Sequence, residues 1–552
     1  MRYSQRPDDS QQSSLFDTAT LDSTSWWATD LSDSALRHLN DNWQGLFRRS
    51  LLQLMPAEQL GSHFSADFGR PTKELYSIAA LIFIMEFKNW TIDAAAEAYT
   101  FDTSLHFALH LGNRRNYLCP RSVDNYRRLM REDAQAAAVF AQVTDTLIQE
   151  LDLRISRQRL DSTHVFSDMA SFGRTKLLAV AIKRFLTSLK RHTPAQHDAL
   201  TSDLRERYSP SVGALFGEAT FSKESRAAAQ QQAAEDLHLL IERFADEATI
   251  TARSSYQALV GLFSEHCELR DARITVRAKA QDPNGGSANT LQNPSDPAAG
   301  YDGHKGPGYQ VQLAETSHSE NPVQLISACL PQSAAESDGH ALETMLSDLA
   351  ERQKLPDELA ADTAYGSDEN HQLATQRGID LISPVPGAPP KTGSHAGVKA
   401  QESKAPPAPG EKRRGRPPGG QRSQKQQALH EKAVRMAQRR QREQSEEWRE
   451  KYRVRAGIES VNRGLDRRTG LKKLRVRGER AVSHSIYGKV MGWNILQAAR
   501  GLAQRARKER KSAGKALESI IAAWNWMQTW VRQEVLSATS AGSNALKALP
   551  TG

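Results

Sequence analysis

One strand-like segment stands alone in the first third of this chain. Residues 153–161 alternate in hydrophobicity as a half-buried strand does, and the segment ends in Asp161-Ser162-Thr163-His164. The next such segments, 309–316 and 323–330, come only after residues 171–272, which have helical periodicity (Leu177, Leu178, Val180, Ala181, Phe185 and Leu189, then Leu237, Leu239, Leu240, Ile241 and Phe244). An isolated strand has no partner for its backbone groups. Residues 171–272 therefore read as an all-helical insertion between the first strand and the next.

The rest of the pattern fits that reading. A helix is expected at 339–352, a strand ending in an aspartate at 359–366 (Ala360-Ala361-Asp362-Thr363-Ala364-Tyr365-Gly366), a helix at 370–377 and a strand at 379–385. The core order is strand, strand, strand, helix, strand, helix, strand. Upstream, residues 43–153 are helical, with Leu75, Ile78, Ala79, Ile82 and Met85 forming a buried face. Pro120-Arg121-Ser122 opens a helix over 123–130, giving either a helix-turn-helix arrangement that offers Arg127 and Arg128 to phosphates or a plain helical bundle. Residues 1–42 are polar and read as a disordered leader, 282–308 as a Gly/Pro/Asn/Ser-rich linker, and 387–424 as a disordered basic linker. A helix is expected from 425 through Glu459, with further amphipathic helices at 486–503 and 517–535.

With 552 residues, 39% of them hydrophobic and 25% charged, the chain is globular in composition and long enough for several folded units. Its longest strongly apolar stretch, 76–85, is about half of what a bilayer requires. No signal peptide opens the chain, so a cytoplasmic location without membrane contact is expected. Three cysteines without a CxxC spacing exclude a disulfide framework and a cysteine zinc site. The formal net charge of +9 is unevenly placed. Residues 411–480 hold 23 Lys/Arg against 9 Asp/Glu, so the remainder of the chain is net negative. Such a block is either a solvated surface or a binding surface for a polyanion.

Two aspartates at strand ends, Asp161 and Asp362, and a third acid, Glu459, in the basic helix supply three hard oxygen donors. Such donors suit Mg²⁺ or Mn²⁺, two of which carry phosphoryl transfer in many enzymes. Taken singly, an aspartate after a strand is more commonly a turn or cap residue. On a continuous helix Tyr452, Arg455 and Glu459 would share a stripe about 60° wide, with Arg463 extending it. There Arg455 is either a plain helical ion-pair partner or a guide for a phosphate. His164 reads more readily as surface than as a partner to the site.

These residues carry a resemblance. Tyr452, Arg455 and Glu459 fit the Tyr-x2-Arg-x3-Glu-x6-Lys signature, with Asp466 in the lysine position followed by Arg467 and Arg468. Leu160-Asp161-Ser162-Thr163-His164, Ala360-Ala361-Asp362-Thr363-Ala364-Tyr365-Gly366 and the 293–312 stretch occur in the matching order. Over about residues 71–500 the chain resembles bacterial insertion-sequence transposases of the DDE type, in the branch with a helical insertion after the first strand. The resemblance implies an α/β ribonuclease-H-like catalytic core with a mixed sheet (154–170 and 301–386), a helical N-terminal DNA-binding domain (43–153) and a large all-helical insertion with its linker (171–300). It also implies C-terminal helices carrying the third acid (425–503) and a helical tail (504–552). Asp161, Asp362 and Glu459 would be the catalytic residues and would hold two Mg²⁺ or Mn²⁺ ions. Tyr452, Arg455, Arg463, Arg467, Arg127, Arg128, Lys412, Arg413, Arg414 and Arg416 would contact DNA. The implied activity is metal-dependent cleavage at the element's terminal inverted repeats followed by strand transfer into target DNA. A homodimer would form the synaptic complex, and the setting would be a bacterial cytoplasm, near the nucleoid. Alternatives are a non-cutting repressor derived from such an enzyme, and a ribonuclease-H-like nuclease without strand transfer.

Overall fold

The computed structural model describes residues 27, 30–65, 67–68, 72–112, 116–170, 172–216, 222–271, 273–277, 290–387 and 424–546. Its main elements are α1 (Asp33–Asn40), α2 (Leu75–Phe87), α3 (Ile92–Phe101), α4 (Pro120–Glu132), α5 (Ala136–Glu150) and β1 (Arg157–Val165). The insertion follows, with α6 (Arg174–His192), α7 (Lys223–Arg243), α8 (Ser254–His266) and the hairpin β2 (Cys267–Arg270) and β3 (Arg273–Val276). Next are β4 (Gly300–Asp302), β5 (Gly306–Thr316), β6 (Ile326–Ser333), α9 (Asp338–Glu351), β7 (Glu358–Ala361), α10 (Asp368–Gln376) and β8 (Asp380–Ile382). The chain closes with α11 (Gln424–Arg442), α12 (Glu446–Arg453), α13 (Gly457–Thr469) and α14 (Glu479–Leu546).

The main sheet runs β6-β5-β1-β7-β8, with β4 pairing the start of β5. β5 is antiparallel to both β1 and β6, whereas β1, β7 and β8 are mutually parallel. Parallel pairs need crossovers, and α10 supplies the one between β7 and β8. This is the ribonuclease-H-like α/β core, a mixed sheet carrying helices on both faces. Leu160, Ala314 and Ala328 turn to one face and pack on Leu342, Met345 and Leu346 of α9. Val165, Val311, Leu313 and Ile326 belong to a second core shared with the N-terminal helices and α14. The insertion has its own core, built from Leu178, Ile182, Phe185, Leu237, Leu240 and Leu259.

Several expectations need correction. β1 runs to Val165, so Asp161 lies inside the strand and not at its end. The leader cannot extend to 42, because Leu36 and Leu39 of α1 cluster with Trp27 and Phe107; residues 1–26 lie outside the described residues. The insertion is not all helical, since a turn at Asp271, with positive φ, folds 267–276 into a hairpin. The linker at 282–308 is partly built into the fold, because Asn293 and Asp296 are buried and 300–302 form β4. The helix expected from 425 through Glu459 is broken twice. Ser445 caps a fresh helix by accepting from the Trp448 amide, and a 3-10 turn at Val454–Ala456 precedes α13. The two amphipathic helices expected after 486 are one, α14.

Residues 43–153 are not a separate unit either. α2 is buried on nearly every side, as expected for a helix apolar all round. It packs against α14 closely enough that a Cβ on Gly492 would stand 1.9 Å from that of Phe87. Polar groups seal the same seam: Ser485 Oγ donates to Glu86 at 2.7 Å, and Lys489 Nζ donates to the Glu86 carbonyl at 3.0 Å.

Candidate functional site

The parallel ladder between β1 and β7 ends at the pair Leu160 and Ala361. One residue further on stand Asp161 and Asp362, side by side where neighbouring strands lie about 4.8 Å apart. Alternation turns both away from the face on which Leu160 and Ala361 pack. Asp362 also caps the 3-10 turn Thr363–Tyr365, accepting from the Ala364 amide at 2.9 Å. Asp161 accepts from Asn462 Nδ2 of α13 at 3.3 Å.

Burial pushes the Asp161 carboxyl up to about 6. The Ser162 amide pulls it back, the charges of Asp362 and Asp338 add to the rise, and Arg455 opposes it. Asp362 is raised as well, first by burial and then by Asp338, against its bond from Ala364 and against Arg455 and Lys305. Two carboxylates forced together in a partly dry site favour a shared proton or a cation.

Asn462 is buried, and its Oδ1 finds no hydrogen-bond partner among the described residues. Asp161, Asp362 and this amide oxygen are hard donors of the kind that Mg²⁺ or Mn²⁺ takes. Their chemistry fits such an ion, although among the described residues no group of three or more His, Cys, Asp or Glu side chains is assembled to hold one.

Glu459 accounts for that. It lies on the first turn of α13, one turn before Asn462, and its exposed carboxylate accepts from Arg455 Nη2 at 2.9 Å. The structure brings Asp161 and Asp362 together and leaves Glu459 held by arginine. The 3-10 turn also removes the single stripe expected for Tyr452, Arg455 and Glu459. Tyr452 stacks on Trp448 with ring centroids 4.9 Å apart and packs toward Ala360 and Ile382. Burial raises its phenol, and Asp362 and Asp161 add to the rise against Arg455.

The start of α13 is fastened to β1 by residues that the sequence reading missed. Arg159, two residues before Asp161 and on the same strand face, donates through Nε to Glu315 Oε2 at 2.6 Å and through Nη1 to the Val454 carbonyl at 3.1 Å. Its guanidinium lies directly over Gly457, where a Cβ would stand 1.7 Å from Nη1. Only glycine fits this crossing. Burial pushes Glu315 up to about 7 against the pull of Arg159. A charged residue inside an otherwise half-apolar strand was the available signal for Arg159, and the i to i+3 spacing from Glu459 was the signal for Asn462. Asp338 was also missed; it accepts from Ser162 Oγ at 3.0 Å and from Gln312 Nε2 at 2.7 Å.

The remaining candidates are scattered. Arg463 and Arg467 are exposed on α13. Arg127 is mostly buried and pairs with Asp124 at 2.9 Å, while Arg128 pairs with Glu132 at 2.8 Å, so both are engaged within α4. His164 is buried with its ring centroid 4.5 Å from that of Phe166, so it is not a surface residue, and strand alternation turns it away from Asp161. Lys412, Arg413, Arg414 and Arg416 lie outside the described residues. Three cations of α11 are held by the fold: Arg435 by Asp368, Lys432 by Glu369 and Arg442 by Asp380.

Residues 275–495 match the family model of the transposase DDE domain. The matched span contains Asp362, Asn462 and Glu459 and starts beyond Asp161. No curated protein and no solved structure matches the chain. The chain thus carries a transposase DDE domain over residues 275–495. Among the described residues no helix is long and apolar enough to cross a membrane.

Proposed function

We propose that this chain cuts DNA at the terminal inverted repeats of its own element and joins the freed 3′ ends to target DNA, with Asp161, Asp362 and Glu459 as its catalytic acids. The observation that carries this reading is the juxtaposition of Asp161 and Asp362 at the end of the β1–β7 ladder, beside the unpartnered Asn462 oxygen. Asp161 and Asp362 would hold divalent metal, Mg²⁺ or Mn²⁺, which when bound supplies charge stabilisation and an activated oxygen nucleophile. Two such ions are proposed, with Glu459 completing the set.

The chain's own groups have separable tasks. Asn462 orients the Asp161 carboxylate, and Arg159 fixes α13 against β1 so that Glu459 stays within a side chain's reach of the pair. Arg455 serves as the holder of Glu459 until a phosphate of the scissile strand takes over its guanidinium, for which a planar, bidentate donor is suited. Tyr452, Arg463 and Arg467 are proposed as DNA contacts around the cut. Lys412, Arg413, Arg414 and Arg416 are proposed as backbone contacts that add affinity without sequence preference. Arg127 and Arg128 can reach phosphates only by giving up their partners in α4. Recognition of the repeats is therefore proposed as a property of the whole chain, acting as a homodimer that pairs two ends. The test is cleavage of a labelled duplex carrying the element's end: full activity is expected with Mg²⁺ and none in EDTA. Undiminished cleavage in EDTA would end the metal reading.

A further inference from the structure

The basic excess near the site divides into two populations. On α11, Arg435, Lys432 and Arg442 are matched to Asp368, Glu369 and Asp380. The cations of 461–480 are not: this stretch holds 8 Lys/Arg against Asp466 and Glu479, and one Asp466 oxygen is already taken by the Lys472 amide at 3.0 Å. Lys472, Lys473, Arg475 and Arg477 are all exposed. Among the described residues none of the four pairs with a carboxylate. Arg475 alone is engaged, weakly, donating to the Asn89 carbonyl at 3.4 Å.

These cations sit on a pinned segment. Gly470, in the left-handed region, ends α13, and the chain then runs beside the exit of β1. The Phe166 amide donates to the Lys472 carbonyl, the Leu474 amide to the Phe166 carbonyl and the Asp168 amide to the Val476 carbonyl, each at 2.8 Å. Leu471 and Leu474 are buried in the main core. Extended backbone with Leu474 buried and Val476 half-buried leaves Lys473, Arg475 and Arg477 on the outer side, about 6.6 Å apart in succession. Over that distance the axis of B-DNA advances by about two base pairs, at about 3.4 Å per phosphate of one strand.

We infer that the 472–477 segment is a track for the phosphate backbone of the duplex whose cut strand lies at Asp161 and Asp362. The inference rests on the transposase reading and adds a location to it. Phe166 to Asp168 lie about five to seven residues beyond Asp161, at most about 17–23 Å along an extended chain, so the track would meet DNA within about seven base pairs of the cut. Lys305 lies between, close enough for its charge to be felt at both Asp362 and His164. Arg184 of the insertion stands near Arg477 and would continue the track.

The test compares the full chain with K472A/K473A/R477A and the charge-conserving K472R/K473R/R477K, all in EDTA, by anisotropy of a labelled 30-base-pair duplex across salt. For the alanine variant we expect at least about a 10-fold loss of affinity and a log-log salt slope shallower by about 2 to 3, at about 0.9 per phosphate contact. The conservative variant should keep both. An unchanged slope in the alanine variant, or an equal loss in the conservative one, overturns the track while leaving the transposase reading intact if the parent still cuts element ends with Mg²⁺. A parent that binds no duplex, or binds anionic vesicles in preference to it, overturns both.

Discussion

Gly457→Ala places a methyl group where the Arg159 guanidinium lies. The contact would be 1.7 Å to Nη1 and 2.6 Å to Cζ. A flexible side chain would swing aside cheaply, but this one is fixed at both ends, by Glu315 at 2.6 Å and by the Val454 carbonyl at 3.1 Å. Moving it strands a nearly fully buried carboxylate. Breaking a buried pair costs about 3–5 kcal/mol, whereas exchanging Gly for Ala in a helix returns at most about 1 kcal/mol. The net is a loss of about 2–4 kcal/mol, felt first where α13 meets β1. Amide hydrogen exchange along α13 reads that locally and should speed up by roughly 30- to 1000-fold, since about 1.4 kcal/mol is a factor of ten. The effect should be non-additive with Arg159→Ala, because once the guanidinium is gone the methyl group has room. Unchanged exchange in Gly457→Ala, or simple additivity in the double variant, would refute the fastening of α13 through Arg159.

Other consequences follow from the same geometry. The Asp161 carboxyl is raised from 3.8 to about 6, so its contribution to stability is present below about pH 4 and lost as pH rises through 6. Asp161→Asn should therefore be more stable than the parent at pH 8, by about 3 kcal/mol at most, and no different at pH 3.5; denaturant titration at both values checks this, and a variant less stable at pH 8 would contradict it. Mg²⁺ should raise the melting temperature of the parent and leave that of Asp161→Asn unmoved. Arg455→Ala removes the cation that lowers both aspartates, so the rise of cleavage with pH should move to higher pH with duplex affinity nearly kept; an unmoved profile would separate Arg455 from the site. A fragment of residues 43–153 exposes the α2 face that α14 covers and should fail to give a dispersed NMR spectrum, whereas a folded fragment would show that the shared core is dispensable.

Periodicity carried most of the sheet, because strands that alternate and helices that repeat every three to four residues announce themselves locally. The order of β1, β5, β6, α9, β7, α10 and β8 was legible for that reason. What periodicity could not register was pairing. That Asp161 and Asp362 become neighbours depends on the Leu160 to Ala361 register, which no local pattern encodes. The limit of the N-terminal region was misread because α2 is apolar on all sides, which signals burial without naming the partner, and the partner, α14, lies some four hundred residues away. The break at Val454–Ala456 escaped because its residues are ordinary helix formers, and the crossing of Arg159 over Gly457, a tertiary contact, makes the turn useful. Charge was half legible. Composition located the basic block, but only the ion pairs of α11 show which cations the fold consumes.

Asp161, Asp362 and Glu459 are proposed to act as one site on DNA. The most direct measurement of that is cleavage and binding of one labelled element-end duplex by the parent and by Asp161→Ala, Asp362→Ala and Glu459→Ala, in Mg²⁺ for cleavage and in EDTA for binding. Each single replacement should abolish cleavage while leaving duplex affinity within about threefold of the parent, because neither partly buried aspartate nor the arginine-held glutamate is proposed as a DNA anchor. Near-parental cleavage by any one variant would remove that residue from the site, and near-parental cleavage by Asp161→Ala or Asp362→Ala would show that the paired aspartates do not carry the cleavage.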